Sequence, residues 1–171
     1  MISVMIVDDH AMFREGVKRV FSDSEDIRVT HEAMGVSDFR TSLEAGLCDV
    51  VLLDLKLGDG NGLDLIQVAK KIHSEIQVVV LSALDHVRYV MLAMQEGADG
   101  YVVKGTDFSE LAHAIRTVSK GEKFICSAVS PQLLDSLISR SQGAGIDGLS
   151  EQEFRVLVLS SAGLSLKEIG E

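Results

Sequence analysis

The sequence predicts an α/β fold, a (βα)₅ doubly wound parallel sheet, on three observations. Five short β-branched runs recur: Ile2 to Val7, Ile27 to His31, Asp49 to Leu53, Ile76 to Leu81 and Gly100 to Val103. Runs such as Val50-Val51-Leu52-Leu53 and Val78-Val79-Val80-Leu81 are apolar at successive positions, as strands buried on both faces are. Amphipathic segments separate the runs, and right-handed crossovers between parallel strands place such helices on the two faces of the sheet.

The elements follow in order. Ala11 to Phe21 reads as a helix with Met12, Val17, Val20 and Phe21 on one side. Ser37 is placed to cap a helix that ends at Gly46. Asn61 or Gly62 opens a helix reaching about His73, with Leu63, Ile66 and Val68 inward. His86 to Glu96 is followed by Gly97, and a helix opened by Asp107 or a residue near it runs to Lys120-Gly121. Glycine just past a helix end fits the left-handed cap.

After Gly121 the pattern changes. Ser130-Pro131 starts a further helix, with Leu133, Leu134, Leu137 and Ile138 as its apolar stripe. Residues 139–148 have the composition of a linker. Ser150-Glu151-Gln152-Glu153 and Ser165-Leu166-Lys167-Glu168 then form two capping boxes, the start of a helical pair. The expected organisation is a first domain over 1–121, a linker with one helix over 122–147, and the opening of a helix-turn-helix over 148–171.

Composition bounds the function. The chain has 171 residues, 46% hydrophobic and 25% charged, which excludes disorder over most of its length. No apolar run approaches the roughly 18 residues of a membrane span, and the start lacks the basic region of a signal peptide. The net charge of −10 excludes electrostatic nucleic-acid binding by the chain taken whole. Cys48 and Cys126 lack the spacing of a disulfide framework or a zinc site, and read as buried thiols of a reducing cytoplasm. The five histidines show no metal spacing, although His10 follows an acid pair.

In open α/β sheets, ligands bind beyond the carboxyl ends of the strands. Asp8 and Asp9 follow the first run, Asp54 the third, Ser82 and Ala83 the fourth, and Lys104 the fifth. Singly, these are ordinary turn acids, a loop hydroxyl and a solvated lysine. Together they put three carboxylates, a hydroxyl and an ammonium on one rim. So many like charges call for a cation, and oxygen-only donors suit Mg²⁺. Such a site makes one carboxylate a nucleophile toward a phosphoryl group, with Lys104 and Ser82 on the phosphoryl oxygens.

The set Val7-Asp8-Asp9-His10, Leu52-Leu53-Asp54-Leu55, Val80-Leu81-Ser82-Ala83 and Gly97-Ala98-Asp99-Gly100-Tyr101-Val102-Val103-Lys104 closely resembles the receiver domain of two-component response regulators. The stretches Leu149 to Leu157 and Gly163 to Ile169 resemble the opening of a LuxR-type helix-turn-helix, as in the NarL/FixJ subfamily. The resemblance implies Asp54 as phosphoacceptor. It implies Mg²⁺ held by Asp9 and Asp54, by Asp8 through water, and by the Lys56 backbone carbonyl. Ser82 and Lys104 would contact the phosphoryl group, and Tyr101 would be an aromatic switch. It further implies a sensor histidine kinase as donor, a homodimer when phosphorylated, a cytoplasmic location with no membrane partner, and DNA binding only in a full-length form.

Gly58 and Gly105 stand where many receivers carry proline, and Gly105 leaves the cis bond of that pattern unexpected, since a cis non-proline bond costs about 3–4 kcal/mol. The DNA-binding domain of the family needs two further helices after Glu171, so this chain is not expected to bind DNA specifically; an ending inside a capped helix points to a piece of a longer protein. A stand-alone receiver acting on a protein partner is the alternative. A flavin- or nucleotide-binding protein is disfavoured, because a phosphate loop wants amides where Asp8-Asp9 stand. Turnover as a phosphatase is disfavoured by Lys56, two residues after Asp54, where a second acid is needed. No enzyme in the usual sense is expected.

Overall fold

The computed structural model describes residues 1–45 and 48–133. Strand β1 (Ile2–Val7) leads into helix α1 (Ala11–Phe21), then β2 (Ile27–Ala33) and α2 (Val36–Ala45). Strand β3 (Val50–Leu53) is followed by a small hairpin of β4 (Lys56–Leu57) and β5 (Gly60–Asn61) and by α3 (Gly62–Ile72). The chain continues through β6 (Gln77–Ser82), α4 (Val87–Gln95), β7 (Gly100–Val103), α5 (Phe108–Val118) and β8 (Phe124–Ile125). The main sheet has the order β2-β1-β3-β6-β7-β8, and every pairing in it is parallel.

The doubly wound fold of the sequence analysis is therefore present, with one more strand. A two-residue strand carries no periodicity, which is why β8 was not legible. It is held by its ladder: the amide of Phe124 donates to the carbonyl of Asp99 at 3.0 Å, and that of Cys126 to Tyr101 at 2.9 Å. The chain stays in the core beyond Gly121, for Cys126, Val129 and Leu133 are fully buried. The helix expected at Ser130 is present over 130–133. The remaining linker, both capping boxes and Gly46 lie outside the described residues.

Strand β3 is buried at every residue, as its unbroken apolar run required. Two helix faces differ from expectation. In α1 the inward stripe is Arg14, Val17 and Phe21, whereas Met12 is 90% and Val20 42% exposed. The apolar residues of α1 lie on more than one stripe, and the burial of a charged residue, Arg14, decides which one faces the sheet. In α3 the buried residues are Leu65, Ile66 and Ala69, while Leu63 and Val68 are half-buried.

The caps at Asn61 and Asp107 are as expected: each side chain accepts from the amide two residues on. Ser37 is not a cap. Helix α2 already starts at Val36, and the amides of Val36 and Ser37 donate to the Asp59 carboxylate at 2.9 and 3.4 Å. A loop side chain 23 residues away thus does the capping. Cys48 and Cys126 are free and buried, as expected. Among the described residues no peptide bond is cis, and Gly105 turns at φ +99°, a conformation side-chain-bearing residues rarely adopt. Among them no helix is long and apolar enough to cross a membrane.

Candidate functional site

The carboxyl ends of β1, β3, β6 and β7 meet at one edge of the sheet. At the end of β1, the Asp8 amide donates to the Ala33 carbonyl of β2 at 3.1 Å. The Asp8 side chain is buried, and its Oδ1 accepts from the His10 amide at 2.9 Å, which tightens the turn into α1. Arg14 Nη1 donates to the Asp8 carbonyl at 2.7 Å. The Asp54 amide donates to the Val7 carbonyl at 2.9 Å, so the end of β3 is fixed beside that of β1.

Asp54 is buried, and its Oδ1 accepts from the Lys56 amide at 3.1 Å. Helix α3 starts hard against this loop. A Cβ on Gly62 would lie 2.1 Å from the Asp54 carbonyl oxygen and 2.8 Å from Leu55 Cα, so only glycine fits. At the end of β7 the Lys104 amide donates to the Ser82 carbonyl at 2.8 Å.

The Lys104 ammonium then reaches across. Its Nζ lies 2.6 Å from Asp8 Oδ2 and 2.5 Å from Asp54 Oδ2, and 4.8 Å from the centre of the Phe13 ring. Asp9 lies further out, with its Oδ1 2.7 Å from His10 Nδ1. Asp8, Asp9, His10 and Asp54 each offer one ligand atom within 4.8 Å of the others. The depression above is lined by His10, Met12, Phe13, Asp54, Lys56, Ala83 and Lys104. Two buried carboxylates thus share one ammonium with a third carboxylate close by, an arrangement that attracts a further cation and presents a carboxylate at the floor of an open depression.

Ser82 and Tyr101 are set differently. Ser82 is fully buried and does not line the depression; its Oγ accepts from the Leu84 amide at 3.4 Å. Tyr101 is buried and its hydroxyl donates to the Leu84 carbonyl at 2.7 Å. Burial pushes its phenol well above the ordinary range. Both residues therefore hold the same segment after β6, one by its amide and one by its carbonyl.

Of the residues singled out from sequence, Asp8, Asp9, His10, Asp54, Lys56, Ala83 and Lys104 are brought to the rim. Phe13, Arg14 and Asp59 were missed. Arg14 carries one signal, a charged residue on the stripe of Val17 and Phe21. The ring of Phe13 under Lys104 and the reach of Asp59 to α2 depend on contacts that no local pattern encodes.

A family model described as the response regulator receiver domain matches residues 4–116. Response regulator UvrY of Escherichia coli is 30% identical over 172 residues, covering 100% of this chain and 79% of that protein. Response regulator GacA of Pseudomonas aeruginosa is 32% identical over 160 residues, 93% of this chain and 75% of that one. Among solved structures, the isolated receiver domain of RcsB from Salmonella enterica serovar Typhimurium with the phosphomimetic BeF₃⁻ superposes with a TM-score of 0.70 at 25% identity, covering 76% of this chain and 96% of that one. A LuxR family DNA-binding response regulator from Silicibacter pomeroyi gives a TM-score of 0.63 at 29% identity, covering 74% and 97%.

Proposed function

This chain belongs to the response regulator receiver domain family, and from that premise we propose that it takes a phosphoryl group on Asp54 from the phosphohistidine of a sensor histidine kinase. A carboxylate oxygen of Asp54 bonds to phosphorus, the phosphorus–nitrogen bond breaks, and its electron pair stays on the donor imidazole. The observation that carries this reading is the Lys104 ammonium held against the buried Asp54 carboxylate. It supplies fixed positive charge where the transferred oxygens arrive. The Lys56 amide orients Asp54 from the other side.

The donors of the rim fit a hard divalent cation: carboxylate oxygens of Asp8, Asp9 and Asp54 lie close together on an open depression. In this reading these residues and the Lys56 carbonyl hold Mg²⁺, which when bound supplies charge that screens the phosphoryl oxygens. Ser82 and Tyr101 report occupancy of the site, because both hold the Leu84 segment beside it. Phosphorylation then biases an equilibrium between two arrangements of that segment. The protein is a switch and no turnover enzyme: Lys56 stands where a second acid would assist release of the phosphoryl group.

In this reading the protein acts in the cytoplasm as a phosphorylation-dependent homodimer, and a chain that carries the whole DNA-binding domain controls transcription by binding DNA. The similar protein described as a LuxR family DNA-binding response regulator supports the DNA-binding part of this reading. The test is intact-mass detection of the adduct formed with a small acyl phosphate, with and without Mg²⁺, on this chain and on Asp54→Asn. One Mg²⁺-dependent phosphoryl adduct, absent in the variant, is expected. No adduct on the folded wild type overturns the reading.

A further inference from the structure

The loop that follows Asp54 is short of stiffness. Glycine stands at 58, 60 and 62, and glycine loses more freedom on ordering than any other residue. The hairpin in this loop has only two residues in each strand, Lys56 facing Asn61 and Leu57 facing Gly60. A hairpin of that size is not stable by itself. Leu57 is rooted in the core, whereas Gly58, Asp59, Gly60 and Asn61 are exposed. Yet this hairpin carries Lys56, whose amide donates to Asp54 Oδ1 at 3.1 Å.

The tip is gripped from outside through Asp59. Its Oδ1 accepts from the Val36 amide at 2.9 Å and its Oδ2 from the Ser37 amide at 3.4 Å, both in the first turn of α2. A carboxylate on such amides makes charge-assisted bonds and is favoured by the helix dipole. Two glycines make room for the grip. A Cβ on Gly35 would lie 2.6 Å from Asp59 Cγ, and one on Gly60 2.7 Å from Val36 Cγ2. The carboxylate therefore occupies the place that a side chain at 35 would take. On its other side the turn abuts the rim, for a Cβ on Gly58 would lie 3.4 Å from Asp9 Oδ2.

We propose that Asp59 is a positioning residue for phosphoryl transfer to Asp54: its grip on α2 fixes the hairpin, and with it the Lys56 amide and carbonyl. This rests on the proposed function and adds to it a residue that touches neither the phosphoryl group nor the cation. Asp59 acts through the ladder, since the turn it holds joins the strand of Lys56 to that of Asn61. The capping of α2 and the ordering of the site are then one contact seen from its two ends.

The experiment uses the full chain and three readouts. Hydrogen exchange at the Lys56 amide is followed without metal. Mg²⁺ affinity comes from chemical-shift titration, and the rate of adduct formation with a small acyl phosphate from intact mass at saturating Mg²⁺. Asp59→Ala is expected to speed exchange at Lys56. It is also expected to weaken Mg²⁺ binding and slow the adduct about three- to tenfold, below the roughly 10–100-fold of groups bonded directly to a metal ligand. Gly35→Ala keeps the charge of Asp59 but fills its seat, and the same losses are expected; Gly35 is not at positive φ, so its backbone accepts alanine. The double variant is expected to lose no more than either single one, because both break one contact. Asp59→Asn keeps an acceptor oxygen and is expected to restore all three readouts. Thr41→Gly weakens α2 away from the contact and is expected to leave Lys56 exchange and Mg²⁺ affinity unchanged. Unchanged Mg²⁺ affinity in both Asp59→Ala and Gly35→Ala overturns the inference, as does an equal loss in Asp59→Asn or in Thr41→Gly. In each of those cases the wild type still forms its Mg²⁺-dependent adduct. A wild type that forms none overturns the proposed function, and this inference with it.

Discussion

Lys104 and Asp54, 50 residues apart in sequence, are joined by a contact of 2.5 Å between Nζ and Oδ2. The carboxylate at the floor of the depression is thus already paired, and the same ammonium also holds Asp8. The two acids sit side by side in a nearly buried place because this cation lies between them.

Replacing that cation should expose the repulsion. Lys104→Met leaves two buried carboxylates unpaired, and breaking such a pair is expected to cost about 3 kcal/mol. Chemical denaturation measures the loss. Millimolar Mg²⁺ is expected to restore a larger part of stability to this variant than to the wild type. An equal effect on both proteins would mean that Lys104 does not neutralise the rim.

The start of α3 offers a test that changes no charged group. Gly62→Ala puts a methyl group into the backbone of Asp54 and Leu55 and is expected to cost about 1–3 kcal/mol through overpacking. It should also slow formation of the phosphoryl adduct, because the displaced backbone carries Asp54. Gly58→Ala is the control: its Cβ meets only Asp9 Oδ2, at 3.4 Å, and normal stability is expected. Equal thermal midpoints for the two variants would contradict the packing described here.

Removing the hydroxyl of Tyr101 separates the switch from its anchor. Tyr101→Phe loses the 2.7 Å bond to the Leu84 carbonyl, worth about 1 kcal/mol. Faster hydrogen exchange at the Leu84 amide is the expected signature, since Ser82 alone then holds the segment. Unchanged exchange there would mean that the Tyr101 hydroxyl does not restrain it.

Acid should loosen α2 through Asp59. The Val36 amide, which donates to its carboxylate, holds Asp59 below its ordinary value of 3.8. A depressed carboxylate stabilises the fold above its unfolded value, and that contribution is lost as pH falls through the lower, folded value. Amide exchange at Val36 and Ser37 is therefore expected to rise as the pH drops below about 4 relative to the rest of α2. Asp59→Asn, which keeps the acceptor oxygen, should remove the pH dependence. A step that persists in Asp59→Asn would place its origin elsewhere.

Much of this architecture is readable along the chain, and the reason lies in periodicity. Val50 to Leu53 and Val78 to Leu81 announce central strands because both of their faces are covered. Asp8, Asp54 and Lys104 are readable as a group because strand ends in such folds converge. What escapes is decided by partners distant in sequence. Met12 looks like core until Arg14 takes the inward position by bonding to the Asp8 carbonyl. Ser37 looks like a cap until Asp59 arrives from another loop. Phe124 and Ile125 look like loop until Gly100 and Tyr101 lie alongside.

That last pairing bears on where this domain can be cut or grafted. A fragment ending at Gly121 would lack Phe124 and Ile125 and leave the outer edge of β7 open, an invitation to edge-to-edge aggregation. A cargo domain joined after Leu133 would instead follow a buried helical turn that comes soon after the strand paired with Gly100 and Tyr101. Its heading would be set by the sheet, as a rudder is set by the hull that bears it.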